Sequence, residues 1–189
     1  MAWLHSSGGA GSQEQSSSQE LAVAALSLLA QSADQNCGNR EAIAQACAID
    51  PLVALVLVGS AAAQVSAASA LGYLASGEFD DFAPASQEAI IQAGGIEALV
   101  WLMRTSRLAD EACDPATWAL AHLAANNDNR KAILQAGAIE PLVALVRGGS
   151  AVAQENAAAA LLYLAESPDN EAISALRSLA LNSNSREVI

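Results

Sequence analysis

Aromatic residues are scarce in this 189-residue chain, and their shortage excludes most β architectures. They make up 4% of the sequence, and the clusters of aromatic and β-branched residues that are typical of strands are missing. Alanine and leucine dominate instead, and both residues favour helices. The composition therefore predicts an all-α protein without a sheet.

Basic residues are the second shortage. Eight lysines and arginines stand against 20 aspartates and glutamates, which gives a formal net charge of −12. Because proteins bind nucleic acid by neutralising phosphates with Lys and Arg, nucleic-acid binding is not expected. The acidic excess fits a basic or neutral protein partner, or it serves solubility alone.

Cysteine and histidine are also rare, which leaves little material for metal binding or catalysis. Cys37, Cys47 and Cys113 form no C-x-x-C pair and no spacing suited to zinc, so we expect reduced thiols. His5 and His122 are the only histidines, and the sequence shows no catalytic triad or phosphate-binding glycine loop. We expect no enzyme activity, no metal and no cofactor.

The chain shows no recognisable targeting or membrane segment. Residues 1–9 lack the apolar core of a signal peptide, which together with the thiols predicts a cytoplasmic or nuclear location. Residues 51–77 carry no charge and are long enough to cross a bilayer. However, Gly59-Ser60 interrupts them, and the related stretch 141–167 contains charges. A membrane span is therefore not expected.

One segment occurs three times. NREAIAQACAIDPLVALV at 39–56 returns as NRKAILQAGAIEPLVALV at 129–146, with a looser copy, SQEAIIQAGGIEALVWLM, at 86–103. The isoleucine of the first AI pair recurs at intervals of 47 and 43 residues. Helical solenoid repeats have this period, about 40–47 residues.

Each copy divides into three predicted helices. The first is expected to be capped by Asn39 or Asn129 and to end at Gly94 or Gly137, where Cys47 stands in the first copy. The second begins at IDP or IEP, with proline in the first turn. The third is the longest, over residues 61–75, about 110–125, and 151–166.

Every third helix ends on the pattern ALxxLA, whose two leucines share one face. A single copy cannot bury that face, so neighbouring repeats must stack into an elongated superhelix. An uncapped end would expose core residues, which allows self-association. The three leucine pairs are Leu71/Leu74, Leu120/Leu123 and Leu161/Leu164.

The domain boundaries follow from these repeats. The first repeat includes an acidic loop with Phe79 and Phe82, which serves either binding or local packing. We predict a disordered Ser/Gly/Gln-rich tail at 1–17, a partial repeat consisting of a third helix at 18–38, full repeats at 39–85, 86–128 and 129–169, and a partial or truncated repeat at 170–189.

The pattern NRxAIxQAGAIxPLVALV followed by AxxALxxLA resembles the armadillo repeat, over residues 18–189. The resemblance implies a right-handed α-solenoid whose third helices line a concave groove for extended peptides, and it implies no catalysis. In the importin-alpha adaptors of that family, a Trp and an Asn one helical turn apart hold the peptide. Only Trp118 matches here and the asparagine is absent, which argues against binding of nuclear-localisation signals. The corresponding pairs are Ser69/Tyr73, Trp118/His122 and Ala159/Tyr163.

The remaining groove still suits a basic peptide. Residues four apart share a helix face, so Asp114 joins Trp118 and His122, and Glu155 joins Tyr163. Aromatic, imidazole and carboxylate groups together bind Lys or Arg side chains. We predict a non-enzymatic scaffold for an extended, basic peptide segment of a protein partner. Alternatively, Trp118 packs between repeats, and the chain is a structural fragment of a longer array or a regulatory domain of a larger protein such as a ligase.

Overall fold

The computed structural model describes residues 10–31, 42–43, 47–76, 83–106 and 111–166. All regular structure within these ranges is helical, which confirms the predicted all-α class. The helices with defined bounds are α1 (Ala10–Gln31), α2 (Ile49–Val58), α3 (Ala61–Ala75), α4 (Ala83–Gln92), α5 (Gly95–Thr105), α6 (Cys113–Ala125), α7 (Asn127–Gln135), α8 (Ile139–Gly148) and α9 (Ala151–Ala165).

The third helices of successive repeats pack side by side in chain order. Helix α1 packs against α3, α3 against α6, and α6 against α9. The second helices α2, α5 and α8 pack against the third helices of their own repeats, and the first helices α4 and α7 contact the third helices as well. Because the main contacts run between neighbours in the sequence, the described chain is an α-solenoid.

The predicted leucine pairs form the centre of the hydrophobic core. Leu71, Leu74, Leu120 and Leu123 are buried, as is Leu164. Burying each of these side chains stabilises the fold by roughly 1.5–3 kcal/mol. The partner leucine on α9 is only half-buried, because no further third helix within the described residues packs on that side.

Helix α1 is longer than predicted. A helix was expected from Ser18, but it begins at Ala10, so the prediction of disorder over residues 1–17 is wrong for residues 10–17. These residues include alanine, glutamine and glutamate and no proline, and a helix nucleated by the packed C-terminal half of α1 extends into them at little cost. Residues 1–9 lie outside the described residues, as do the acidic loop with Phe79 and Phe82 and the C-terminal segment 170–189.

Two predicted helix starts need correction. Asn129 does not cap α7: the N-cap is Asn126, whose side chain accepts a hydrogen bond from the backbone N–H of Asp128. Helix α6 begins at Cys113 rather than near residue 110. Pro115 explains this start, because a proline is tolerated in the first turn, where no backbone donor is needed, but not one turn later. The expected cap Asn39 lies outside the described residues.

Other predicted boundaries are confirmed. Helices α2 and α8 begin at Ile49 and Ile139, each with its proline in the first turn. Ser150 caps α9 by accepting from the backbone N–H of Ala153, and Ser60 caps α3 in the same way. No helix in the described part of the chain combines the length and the apolarity that a bilayer span requires.

The turn after each first helix uses a left-handed residue. Gly94 and Gly137 have φ values of 77° and 74°, and Cys47 has 54° at the equivalent point. A residue with a Cβ is strained in this region. Cysteine is therefore a poor fit for a position that the other two repeats give to glycine.

We expect opposite effects from exchanging these residues. Gly94→Ala should lower the free energy of unfolding by about 1 kcal/mol, since the left-handed backbone strains a Cβ. The added methyl group meets only the Glu97 carboxylate, at 3.9 Å, so no clash contributes. Cys47→Gly should leave stability unchanged or raise it by up to about 1 kcal/mol. Urea unfolding followed by circular dichroism measures both; equal destabilisation by both variants would refute the strain argument.

Candidate functional site

The predicted binding residues lie on the third helices α3, α6 and α9, whose exposed side we call the third-helix face. Most are half-buried, and Glu155 is exposed. No lysine or arginine occurs in α1, α3, α6 or α9, whereas Glu20, Asp114 and Glu155 do. The described third helices therefore carry negative charge only.

An aromatic cluster of Tyr73, Trp118 and His122 joins α3 to α6. The ring centroids of Tyr73 and Trp118 are 4.8 Å apart at an interplanar angle of 69°. Those of Trp118 and His122 are 5.0 Å apart at 86°. Edge-to-face pairs of this kind are favourable, so each ring stabilises the position of its neighbour.

Trp118 also packs between repeats, on a glycine of the preceding third helix. A Cβ built on Gly72 would lie 2.3 Å and 2.4 Å from the Cε3 and Cζ3 atoms of the Trp118 ring. Only glycine leaves room for the ring at this point. Trp118 remains half-buried, so it serves as an inter-repeat contact and still exposes part of its surface.

Asp114 has a structural partner. Its carboxylate accepts a hydrogen bond from the hydroxyl of Ser150, the N-cap of α9. The same contact joins Ser60, the N-cap of α3, to Glu20 on α1. Two of the three junctions between third helices thus share a serine-to-carboxylate hydrogen bond, a role that the sequence did not reveal.

Glu155 stands four residues before Ala159, as Asp114 stands four residues before Trp118. Within the described residues it forms no hydrogen bond or ion pair that would occupy its carboxylate. At the equivalent position α3 has Val65, whose carbonyl accepts from the Ser69 hydroxyl at 2.8 Å. Of the two carboxylates at this position of the third helices, Asp114 is bonded to Ser150, and Glu155 is open to a ligand.

Tyr163 occupies the position of Tyr73 and His122 on the last described third helix. The guanidinium carbon of Arg130 lies 5.9 Å from the centroid of its ring. Arg130 also forms an ion pair with Glu166 at 3.5 Å. A guanidinium group of the protein itself therefore already lies over this aromatic side chain.

The second and third repeats match a known family. The model of the armadillo/beta-catenin-like repeat matches residues 84–125 and 126–166. Residues 84–166 are therefore two armadillo repeats, and the described chain has the armadillo solenoid fold. A comparison with curated proteins finds no match.

Several solved structures have a similar fold. An engineered protein is 34% identical, with a TM-score of 0.74, over 86% of this chain and 62% of its own. A designed armadillo repeat protein in complex with the peptide (KR)4 is 26% identical, with a TM-score of 0.69, over 83% of this chain and 66% of its own. Computationally designed armadillo repeat proteins for modular peptide recognition give 27% identity and a TM-score of 0.72, over 88% of this chain and 70% of theirs.

The chain is shorter than most of these structures. It spans between 37% and 62% of the length of three engineered proteins that it matches. The likeness to the designed armadillo repeat proteins shows the armadillo fold of this chain, whereas the peptides that those designs bind are a property of the designs.

A buried polar network supplies hydrogen-bond donors to the C-termini of the third helices. The sequence did not predict it. Gln87 donates its amide N–H to the carbonyl of Ala75 at 2.9 Å. In the next armadillo repeat Arg130 donates from Nε to the carbonyl of Ala124 at 3.0 Å. Both carbonyls lie at helix C-termini, where backbone acceptors have no partner within the helix.

The same network links the second and third repeats. The Gln87 side-chain oxygen accepts from the amides of Asn126 and Asn129, at 3.0 Å and 3.1 Å. Asn129 also donates to the carbonyl of Leu123 at 3.1 Å. The sequence signal for this network is the polar pair at the start of each copy, Ser86-Gln87 or Asn129-Arg130. The sequence analysis interprets the asparagine of that pair as a helix cap instead.

The described residues were also compared with what a metal site requires. Among them, no three His, Cys, Asp or Glu side chains come close enough together to hold a metal ion. Cys113 is buried and His122 is half-buried on the third-helix face, so the two do not share an exposed site.

Proposed function

We propose that this armadillo protein is a non-enzymatic scaffold that binds an extended, basic peptide segment of a partner protein across the third-helix face. The aromatic cluster of Tyr73, Trp118 and His122 is the observation that carries the proposal. It spans two third helices, so a peptide that crosses the helices would meet it. A cytoplasmic or nuclear location belongs to the same proposal and rests on the sequence.

The charge of the face supports a basic ligand. The third helices hold carboxylates and no cation, and Glu155 is open to solvent. A cation over an aromatic ring gains roughly 0.5–2 kcal/mol, depending on how far it is desolvated. The net charge of −12 would also speed the encounter with a basic segment at low ionic strength.

Tyr163 offers an internal example of the proposed contact. Arg130 places its guanidinium over this ring, beside the carboxylate of Glu166. We propose that an arginine or lysine of the partner does the same at the aromatic cluster, with Glu155 of helix α9 as a carboxylate for a further cation of the peptide. The designed armadillo protein in complex with (KR)4 supports the ligand class, since it has a similar fold.

The missing asparagines limit what the face can recognise. Asparagine amides would hold the backbone of an extended peptide in register, and the corresponding positions here are Tyr73, His122 and Tyr163. Side-chain contacts then dominate over backbone hydrogen bonds. We therefore propose recognition by charge and aromatic stacking, with salt-dependent affinity.

Fluorescence anisotropy with labelled peptides tests the proposal. An octapeptide of alternating Lys and Arg should bind, and an alternating Glu-Asp peptide should not. Trp118→Ala and His122→Ala should each weaken binding about tenfold, the equivalent of about 1.4 kcal/mol, because each removes an aromatic contact to a cation. Glu155→Gln should weaken binding and flatten its salt dependence.

Matched controls separate the site from general effects. Trp101→Ala removes an exposed tryptophan of α5 outside the third-helix face, and Glu97→Gln removes an exposed carboxylate of the same helix. Both should bind the basic peptide as the parent chain does. Equal binding by all variants, with helicity preserved, would contradict the proposal and favour a structural segment of a longer array or a regulatory domain of a larger protein.

A further inference from the structure

The guanidinium group of Arg130 is held between two third helices, almost completely away from solvent. Its side chain is 9% exposed, and Nε donates to the carbonyl of Ala124 at 3.0 Å. A terminal nitrogen lies 3.5 Å from the carbonyl of Ala125 and 3.5 Å from the carboxylate of Glu166. These acceptors belong to the C-terminal ends of α6 and α9, so the positive charge has a fixed position.

This fixed charge lies over the aromatic ring of Tyr163. The guanidinium carbon is 5.9 Å from the ring centroid, within the distance at which a cation is attracted to the face of a ring. Tyr163 is half-buried and stands on α9 where Tyr73 stands on α3 and His122 on α6. The protein therefore supplies its own cation at the aromatic position of α9.

The preceding repeat shows that the charge is not needed to close a third helix. Gln87 stands where Arg130 stands in the next copy, and its amide donates to the carbonyl of Ala75, the last residue of α3. Arg130 donates in the same way to Ala124, near the end of α6. A neutral side chain is sufficient for this hydrogen bond. What the arginine adds is a positive charge beside Tyr163.

That charge prevents a ligand cation from using the same ring. Two positive charges at one ring repel each other, and solvent screens the repulsion poorly because Arg130 is buried. Displacement of Arg130 would leave the carbonyl of Ala124 without this donor. Glu155, eight residues before Tyr163 and thus about 12 Å away along the helix axis, is exposed and can still receive a cation.

We propose that Arg130 determines the specificity of the third-helix face by excluding a lysine or arginine of the ligand from Tyr163. The inference rests on the proposed binding of a basic peptide. The ligand then places its cations at the aromatic cluster and at Glu155, and an uncharged residue beside Tyr163. The face distinguishes basic peptides by the positions of their charges, and Arg130 sets the position at which a charge is not accepted.

Fluorescence anisotropy with the Lys-Arg octapeptide tests this role in the full chain. Tyr163→Ala should change the affinity of the parent by less than about twofold, because no ligand cation uses the ring. Arg130→Gln places the side chain of Gln87 at the equivalent position, so the hydrogen bond to the helix end is kept and the charge is lost. It should raise affinity about tenfold, since a ligand cation can then reach Tyr163. Tyr163→Ala in the Arg130→Gln background should abolish this gain.

Two controls separate the position of the charge from general effects. Lys131→Gln removes the same charge from the exposed neighbouring residue and should change affinity by no more than about twofold. Arg130→Lys keeps the charge and should bind as the parent does. If it binds as tightly as Arg130→Gln, the gain comes from altered packing, and the proposal is overturned. Circular dichroism confirms that the variants keep their helices; if Arg130→Gln does not fold, the result of Tyr163→Ala in the parent decides alone.

The outcomes also separate this inference from the proposed function. A parent chain that binds the octapeptide and loses about tenfold in affinity with Tyr163→Ala keeps the proposed function but overturns the role of Arg130. Absence of a gain in Arg130→Gln overturns it as well. A parent that binds no basic peptide contradicts the proposed function; binding by Arg130→Gln that depends on Tyr163 would then still support exclusion by Arg130, and no binding by either chain overturns both proposals.

Discussion

Gln87→Met should lower the free energy of unfolding by about 3 kcal/mol, because it removes the amide that satisfies several buried groups. The carbonyl of Ala75 loses its donor, and the amides of Asn126 and Asn129 lose a shared acceptor. Each buried polar group left without a partner costs about 1–3 kcal/mol. Methionine is similar to glutamine in length and volume and its side chain is flexible, so packing changes contribute little.

Gln92→Met on the same helix is the matched control. Gln92 is exposed, and its amide donates to the carboxylate of Glu88, four residues earlier. This substitution should change stability by no more than about 0.5 kcal/mol. Chemical unfolding followed by circular dichroism gives both values, and equal effects of the two substitutions would show that the Gln87 network contributes nothing specific.

Gly72→Ala should lower the free energy of unfolding by about 1–2 kcal/mol, although alanine is the better helix former. Helix propensity alone would raise stability by about 1 kcal/mol. The new methyl group, however, would lie within 2.4 Å of two ring atoms of Trp118. Overpacking can cost up to about 3 kcal/mol, and we expect about 2–3 kcal/mol here because Tyr73 and His122 contact Trp118 and limit its movement.

The sign of this effect should reverse once the tryptophan is removed. In a Trp118→Ala background, Gly72→Ala should raise stability by about 1 kcal/mol, because only helix propensity remains. The double-mutant cycle then gives a coupling of about 2–3 kcal/mol. If the effects of the two substitutions on the free energy of unfolding are additive, Trp118 does not pack on Gly72.

The same cycle bears on peptide binding. If Trp118 is held in place by Gly72, then Gly72→Ala displaces the ring and should weaken binding of the basic peptide without touching the peptide directly. Such a loss in a variant that remains folded links the inter-repeat contact to the proposed site. Unchanged binding would mean that the aromatic cluster tolerates movement of Trp118.

The candidate site was only partly predictable from the sequence. Spacing by four residues placed Asp114, Trp118 and His122 on one helix face, because the period of a helix is local. It could not show that Ser150 takes the carboxylate of Asp114, or that Arg130 lies over Tyr163. Both contacts join residues more than 30 positions apart, and their partners depend on how one repeat stacks on the next.

The fold was predictable where the signals were local. Proline at the start of second helices and glycine after first helices act through backbone geometry within a single turn, and the structure follows them at Ile49, Ile139, Gly94 and Gly137. The prediction that Asn129 caps α7 was wrong because asparagine is both a common cap and a good buried hydrogen-bond donor. Only the position of Gln87 on the neighbouring repeat decides between those two roles.

By itself, the sequence determined the helical class, the repeat period and the leucine-bearing core face, since all three arise from residue propensity and from side chains a few positions apart. The tertiary structure alone decided which side chains meet across repeats. The ring of Trp118 lies on Gly72, the amide of Gln87 serves two asparagines of the next repeat, and Leu162 is left exposed on α9. The physical reason is that packing between repeats depends on the volumes and unpaired polar groups of two distant segments at once, which no local pattern records.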